Sequence, residues 1–518
     1  MSYIISIILL LAFGAGLYKM FEKSGEAGWK AIVPGLNLYT WLQITGRPIY
    51  WLALLLVPIV GIFIFAYMLI DMVKCFGKFG FWEQALAILV PFAYYPYIGF
   101  RDEEKYLGKA VVMTTENPIK KSVFREWAEA IIFAVFAATF IRMFLIEAYT
   151  IPTPSMEGSL MVGDFLFVSK LSYGSRMPVT PIQFPLVHNK VPFVGSESYS
   201  KAAQWDYRRL PAIRDVKRYD PVVFNFPEGD SVAFRKDVSR TAMQYTHYYG
   251  LKRQYGEQVV KRNYDIVTRP LDKRDNYIKR CVGLPGDIIE VKDRVLYVNG
   301  EVARKPEGLQ FSYQVNATGA KPNQALLDEL DIDWDAERAN NRGIMYLTDK
   351  QVEGLKKDES LEIRALVNDP NPSIFPHDGR GWSMDNFGPL TLPKKGEVVS
   401  IGPKNIGIYK RIIKDYEGND LEIGKGGIKI NGKTATSYTI QQDYYWMMGD
   451  NRHNSEDSRV WGFVPQDHIV GKPLFIWMSL RNGHLFDTKI KTSTGAIVKE
   501  KGGINFKRLF KGANDMAE

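Results

Sequence analysis

Three stretches of this 518-residue chain carry side chains that together could make and break a covalent bond. The first is Ile151-Pro152-Thr153-Pro154-Ser155-Met156-Glu157-Gly158-Ser159-Leu160. Proline fixes φ and biases the residue before it towards extended backbone. Ile151 to Ser155 is therefore expected to be a stiff extended strand presenting the Ser155 hydroxyl at a fixed place. A Pro-rich linker leaving a membrane is the plainer reading of the same residues. The second stretch is Tyr277-Ile278-Lys279-Arg280-Cys281-Val282-Gly283-Leu284-Pro285-Gly286-Asp287. The third is Met447-Met448-Gly449-Asp450-Asn451-Arg452-His453-Asn454-Ser455-Glu456-Asp457-Ser458-Arg459. A serine hydroxyl is a weak nucleophile and needs a base beside it. A lysine can be that base only when neutral, and burial among apolar neighbours disfavours its ammonium. Lys279 has apolar neighbours of that kind; an ordinary edge-strand lysine is the other reading.

The elements that must position these groups read mainly as strands and turns. Alternation puts Tyr277, Lys279 and Cys281 on one face of a strand and Ile278, Arg280 and Val282 on the other. Gly283-Leu284-Pro285-Gly286-Asp287 has Pro and Gly where a type II turn needs them. Gly163 to Lys170 reads as a turn and then a buried strand, and Arg218 to Pro227 as another strand, entered through Asp220-Pro221. Ile288–Val298 reads as a strand closed by an Asn299-Gly300 hairpin turn. Residues 174–215 are Pro-rich and irregular, and 228–272 are charged, Tyr-rich and expected to be helical, with no role assigned. Residues 301–395 look like an insertion, with one helix near Ala325–Leu330 and another after Thr348, where Thr348 and Gln351 suit a capping box. Tyr409-Lys410-Arg411-Ile412 echoes the lysine stretch, and Lys429-Ile430-Asn431-Gly432 echoes Tyr297-Val298-Asn299-Gly300. A duplicated β unit or chance likeness of hairpins explains this equally well. The echo makes Lys410 a rival base, but Lys410 lacks the Gly-x-Pro-Gly-Asp turn, so Lys279 is preferred.

The N-terminal part reads as a membrane region. Residues 1–18 are uncharged and mostly apolar, and the first positive charge, Lys19, follows them, so an uncleaved anchor is expected rather than a signal peptide. Pro48–Ile70, Gln84–Phe100 and Trp127–Ile146 are further candidate spans, the second at the short end of the usual length. Glu129 and Arg142 lie near the ends of the last, where long side chains reach the interface. Four spans put Lys19, Lys23, Lys30 and Arg47 in one inside loop, and Arg101, Lys105, Lys109, Lys120, Lys121 and Arg125 in another, as the positive-inside tendency requires. Everything after residue 147 then lies outside. The net charge of +9 raises nucleic-acid binding, but no RNA or DNA module is present and the basic residues are spread among loops. Cys75 and Cys281 are too differently placed to pair, and the six histidines show no metal-ligand spacing.

Together and in this order, the three stretches resemble the motif set of the bacterial type I signal peptidases, membrane-bound serine proteases with a Ser/Lys dyad, over roughly residues 124–480. The first motif departs from the usual pattern: Thr153-Pro154 stands where Ser-Gly is usual, and Gly158 where Pro is usual. The resemblance implies a fold of N-terminal transmembrane α-helices followed by a mainly β catalytic domain outside the membrane, with a partly helical insertion. Residues 1–115 would be an extra multi-span membrane module, 124–147 the transmembrane anchor, 148–480 the catalytic domain and 481–518 a basic tail. The catalytic domain would carry insertions at about 174–215, 228–272 and 301–395. The resemblance implies Ser155 as nucleophile and Lys279 as general base. It implies Thr153 as an oxyanion donor beside the Ser155 N–H, and Ser455 as the hydroxyl that orients the lysine. Asp457 and Arg459 would be a structural charge pair with Arg280 nearby, and Gly449 would keep space for the lysine chain. Ile151 and Ile278 would line small apolar pockets for Ala-x-Ala. His453 has no implied catalytic role, and no metal or cofactor is required. The implied partners are signal peptides of preproteins and membrane lipid, not nucleic acid. The implied location is the bacterial cytoplasmic membrane, multi-pass, with the catalytic domain on the outer face. Two alternatives stand beside this: a membrane-anchored domain that binds exported peptides without cutting them, and a dedicated pilin- or conjugation-type processing peptidase.

Overall fold

A computed structural model of the chain describes all residues except 1, 57–59, 117–121, 193, 238–244, 319–322, 333, 335–342, 425, 492–496, 501 and 513–518. The expectations for Lys120 and Lys121, and for parts of 48–70, 228–272, 301–395 and 481–518, fall on residues outside that description. The chain forms two compact units, residues 1–130 and 131–518.

The first unit is helical. Its helices are Ser2–Lys23, Leu36–Thr45, Trp51–Leu55, Val60–Lys74, Phe81–Leu89, Pro91–Phe100 and Ala110–Glu116. Met20, Phe21, Trp41, Met72, Tyr95 and Ile98 form its centre. The first helix lies against Pro91–Phe100 because Gly16 lets the backbones meet; a Cβ there would overlap the backbone of Tyr95 and Pro96. Two of the expected spans are not single helices. Pro48–Ile70 comprises Trp51–Leu55 and the start of Val60–Lys74, and Gln84–Phe100 is divided at Val90 (φ −136°, ψ 51°). Pro91 has no N–H to continue the first helix, yet it suits the first position of a second. Among the described residues one helix, Val123–Phe144, is long and apolar enough to cross a membrane by length and composition.

The second unit is mainly β. Seven antiparallel strands lie in the order Ile146–Thr150, Asp164–Ser169, Ile469–Ser479, Pro221–Asn225, Asn276–Gly283, Tyr444–Met448, Val464–Pro465. Val223 packs with Ile151, Met156, Leu166 and Ile476, while Val222 packs with Cys281, Met447 and Trp461. Neighbouring residues of one strand thus face two cores, which holds the central strands from both sides. Lys279 lies opposite Val222 in the register, an apolar partner. The strand ends in the expected turn, with Gly286 at φ +90° and Asp287 N donating to the Leu284 carbonyl at 3.0 Å.

Residues 288–298 are not one strand but a hairpin, Ile288–Lys292 with Val295–Val298, turning at Asp293 (φ +47°) and Arg294 (φ +72°). Asp-Arg is an unusual pair for left-handed backbone, so the turn left no sequence signal. The expected Asn299-Gly300 turn follows it and leads to Glu301–Val302. In the 301–395 region Gln310–Ala317 pairs with both Ile344–Thr348 and Leu361–Ala365. Helices Gln324–Glu329 and Asp349–Leu355 stand where expected, the second with the Thr348–Gln351 capping box. Residues 228–272 include helices Tyr248–Tyr255 and Glu257–Asn263 together with paired strands Ser231–Arg235 and Tyr264–Thr268. The echo is only half real. Asn431 (φ +51°) and Gly432 (φ +77°) turn a hairpin like Asn299-Gly300, but Lys410 lies in a helix, Ile406–Arg411, not in a strand. Arg508 of the basic tail is paired to buried Asp164 at 2.6 Å.

Candidate active site

Ser155 is not on a strand. Extended backbone stops at Thr153 (φ −131°, ψ 149°), and Pro154–Met156 is a single 3₁₀ turn. Pro154 opens that turn because its fixed φ suits the first helical position, where no N–H is needed. The first amides of a helical turn have no intrahelical acceptor, so the Ser155 N–H points out of the turn. The side chain is 7% exposed. Its backbone carbonyl accepts from Asn451 N at 3.1 Å, which ties the first motif to the third.

Lys279 reaches Ser155 from strand Asn276–Gly283 of the sheet. Its Nζ donates to Ser155 Oγ at 2.7 Å and to the Ile278 carbonyl at 3.0 Å. The side chain is 3% exposed, with the ammonium 5.5 Å from the centre of the Tyr277 ring. Burial pushes the lysine down to about 8, against the opposing pull of Asp457, Glu456 and Asp450. Both groups line a cleft of about 670 Å³, whose walls include Ile151, Thr153, Met156 and Ile278. Thr153 is exposed, and its hydroxyl makes no capping bond to the turn it precedes.

The third motif is a buried loop held by charge. Asp457 accepts from Arg459 Nε at 2.9 Å and Nη2 at 2.7 Å, and from Gly449 N at 3.1 Å. Arg280 does not join that pair. Its Nε and Nη2 clasp Asp450 at 2.8 and 2.5 Å, so the lysine strand and the loop are joined by a separate buried ion pair. Asp450 was missed because a Gly-Asp-Asn run reads as turn chemistry, which hides an acid used across the fold. Gly449 leaves space beside the nucleophile: the nearest atoms that a Cβ there would meet are those of the Ser455 side chain and the Ser155 carbonyl. Ser455 is buried, but its hydroxyl has no hydrogen-bond partner among the described residues, and Lys279 is bonded elsewhere. Lys410 does not line the cleft.

A second polar cluster lies behind the loop. His453 Nδ1 is 2.6 Å from Ser312 Oγ, and His453 Nε2 is 2.7 Å from Asp385 Oδ1. An ionised carboxylate only accepts, so Nε2 donates to Asp385; the Ser312 backbone N–H donates to Nδ1 at 3.3 Å, which makes Nδ1 an acceptor for the Ser312 hydroxyl as well. All three side chains are buried. Asn368 and Ser383 bring Asp385 to this position, and Gln310 lies beside Asn451 in a short parallel bridge. The cluster therefore pins the 310–317 strand onto the motif loop. Its parts lie far apart in the chain, and none of the local motifs announces it.

With that geometry in place, the comparisons with known proteins agree on one family. The model described as "Signal peptidase, peptidase S26" matches residues 124–332 and 414–478, more than half of the chain. The chain belongs to the peptidase S26 family of signal peptidases. The activity that follows is that of a serine endopeptidase that cleaves signal peptides. The chain is 26% identical to signal peptidase I of Haemophilus influenzae, over 67% of this chain and 68% of that protein. It is 23% identical to signal peptidase I of Buchnera aphidicola subsp. Acyrthosiphon pisum, over 69% and 77%, and 24% identical to that of Pseudomonas aeruginosa, over 70% and 74%. Residues 29–109 match a different model, a family of unknown function (DUF5684). This signal peptidase thus carries an N-terminal region with its own family likeness, outside the peptidase match.

Proposed function

We propose that Ser155 is the nucleophile and Lys279 the general base with which this signal peptidase cuts preproteins. The observation that carries the reading is the 2.7 Å contact between Lys279 Nζ and Ser155 Oγ, both residues being buried. In the neutral state the amine accepts the hydroxyl proton as Oγ attacks the scissile carbonyl. The same proton then passes from Lys279 to the leaving amine, and water repeats the sequence on the acyl-enzyme. The Ser155 N–H and the Thr153 hydroxyl are the donors proposed for the oxyanion. Ser455, Gly449, Asp457 and Arg459 are proposed to hold the geometry, with Ser455 free to meet the lysine when substrate arrives. Arg280 and Asp450 support them. This chemistry requires no metal or cofactor.

The substrate is proposed to be the extended end of a signal peptide with small residues at alternate positions, Ala-x-Ala in type, packed against Ile151 and Ile278. Ile146–Thr150 is an edge strand of the sheet, and the peptide is proposed to add as a further strand on its unpaired side. The protein is proposed to be multi-pass in the bacterial cytoplasmic membrane, with Val123–Phe144 as the anchor before the catalytic domain and residues 148–518 on the outer face. The test is cleavage of a preprotein by the purified protein in lipid, with sequencing of the mature N-terminus. Ser155→Ala and Lys279→Ala should each abolish product while the fold persists, and Lys410→Ala should keep most activity. Activity of Lys279→Ala with loss in Lys410→Ala would overturn the assignment of the base. External protease on spheroplasts should digest the catalytic domain; full protection in sealed, right-side-out cells would overturn the topology.

A further inference from the structure

Arg280, Arg452 and Arg459 are buried in or beside the motif loop, and among the described residues only two of them have a carboxylate. Arg280 holds Asp450 and Arg459 holds Asp457. Arg452, 4% exposed, has no carboxylate within ion-pair distance among the described residues. Its side chain donates one hydrogen bond, from Nε to the Gly449 carbonyl at 3.2 Å. A buried, unpaired cation is strongly unfavourable. Burial, aided by the Arg459 and Arg280 charges and opposed by Asp450 and Asp457, pushes Arg452 down to about 10.

Arg452 opens on a cavity of about 170 Å³ that shares no lining residue with the substrate cleft. Arg294 lines the same cavity from the left-handed Asp293-Arg294 turn. Its guanidinium lies over Phe311 at 4.8 Å and Tyr313 at 5.6 Å, and its Nη1 is buried with no hydrogen-bond partner among the described residues. Arg304 and Lys305 add positive charge at the wall, Lys305 paired with Asp349, and Asp293 is the other acid there. Two guanidiniums with donors to spare, set against aromatic and aliphatic walls, match the oxygens of a small anion and repel a cation.

We infer that this cavity binds a small oxyanion, a carboxylate or phosphate, between Arg452 and Arg294. The site lies beyond the peptidase reaction and needs neither Ser155 nor Lys279. It nonetheless bears on that reaction, because Arg452 follows Asn451, whose N–H holds the Ser155 carbonyl. An anion there balances the third guanidinium and fixes the loop.

The experiment is isothermal titration of the full-length protein in detergent with sodium phosphate and with sodium acetate, at an ionic strength held constant with sodium chloride. The readout is heat of binding, so failure of the proteolytic reading leaves the result intact. Saturable, one-to-one binding of either oxyanion is expected, and the tighter of the two assigns the class. Arg294→Gln, which lies outside the catalytic groups, should bind at least about tenfold more weakly, the loss of charge-assisted hydrogen bonds. Arg452→Met should behave alike if it folds. Absence of saturable binding, or equal binding in Arg294→Gln, would overturn the inference.

Discussion

Between about pH 6 and pH 9, the rate of cleavage should follow deprotonation of Lys279. A lysine held at about 8 by burial is roughly one-tenth neutral at pH 7, against about one part in three thousand at its ordinary value. The site therefore supplies roughly a few hundredfold more of the working base at neutral pH. kcat/KM should climb about tenfold per pH unit below pH 7 and level off above about pH 9. Glu456 is one of the carboxylates whose charge favours the ammonium. Glu456→Gln should move the rising limb to lower pH by roughly a few tenths of a unit, the size expected of one partly screened charge. The assay is single-turnover cleavage of a signal-peptide substrate across the pH range. A wild-type limb near 10, no limb at all, or a limb that moves upward in Glu456→Gln would refute the reasoning. The same shift has a stability consequence of definite sign. The folded value lies below the unfolded one, so between about pH 8 and 10.5 the unfolded chain holds a proton that the folded chain has lost. Stability from this group therefore rises with pH across that window. Its cost, roughly 3 kcal/mol, is fully present below it. Lys279→Met should be the more stable protein at pH 7 by denaturant titration, and the gain should shrink towards pH 10.5.

Thr153→Val keeps shape and removes a donor, so kcat should fall roughly a hundredfold to a thousandfold with little change in KM, and Thr153→Ser should be near normal. Full activity in Thr153→Val would place the second donor elsewhere. Gly449→Ala pushes a methyl group into Ser455 and the Ser155 carbonyl, and the misplacement should cost about a hundredfold in kcat with the fold retained. His453→Ala leaves the Asp385 carboxylate and the Ser312 hydroxyl without their ring partner, which should cost about 2–3 kcal/mol in urea denaturation, with about 1 kcal/mol for Ser312→Ala.

The sequence by itself determined the family and the local frame of the site. The three motifs carry their own signals: a serine after two prolines, a lysine in an apolar strand, and a Gly-Asp-Asn loop. Turns and caps were equally legible, at Pro285-Gly286, Asn299-Gly300 and Thr348–Gln351, because those residues encode their conformation within four or five positions. Features set over longer range were not. Pro152 and Pro154 promise extended chain, yet Pro154 begins a helical turn, since the same φ serves both and only packing against the loop selects ψ. Likeness of sequence put Lys410 in a strand, and its surroundings made a helix. Arg280 precedes both Asp450 and Asp457 in the chain, and only the fold gives it Asp450 and leaves Asp457 to Arg459. The Ser312–His453–Asp385 cluster and the pairing of Arg452 with Arg294 at one cavity join residues far apart in the chain. A local reading has no means to see them, because burial and charge balance are properties of the folded whole.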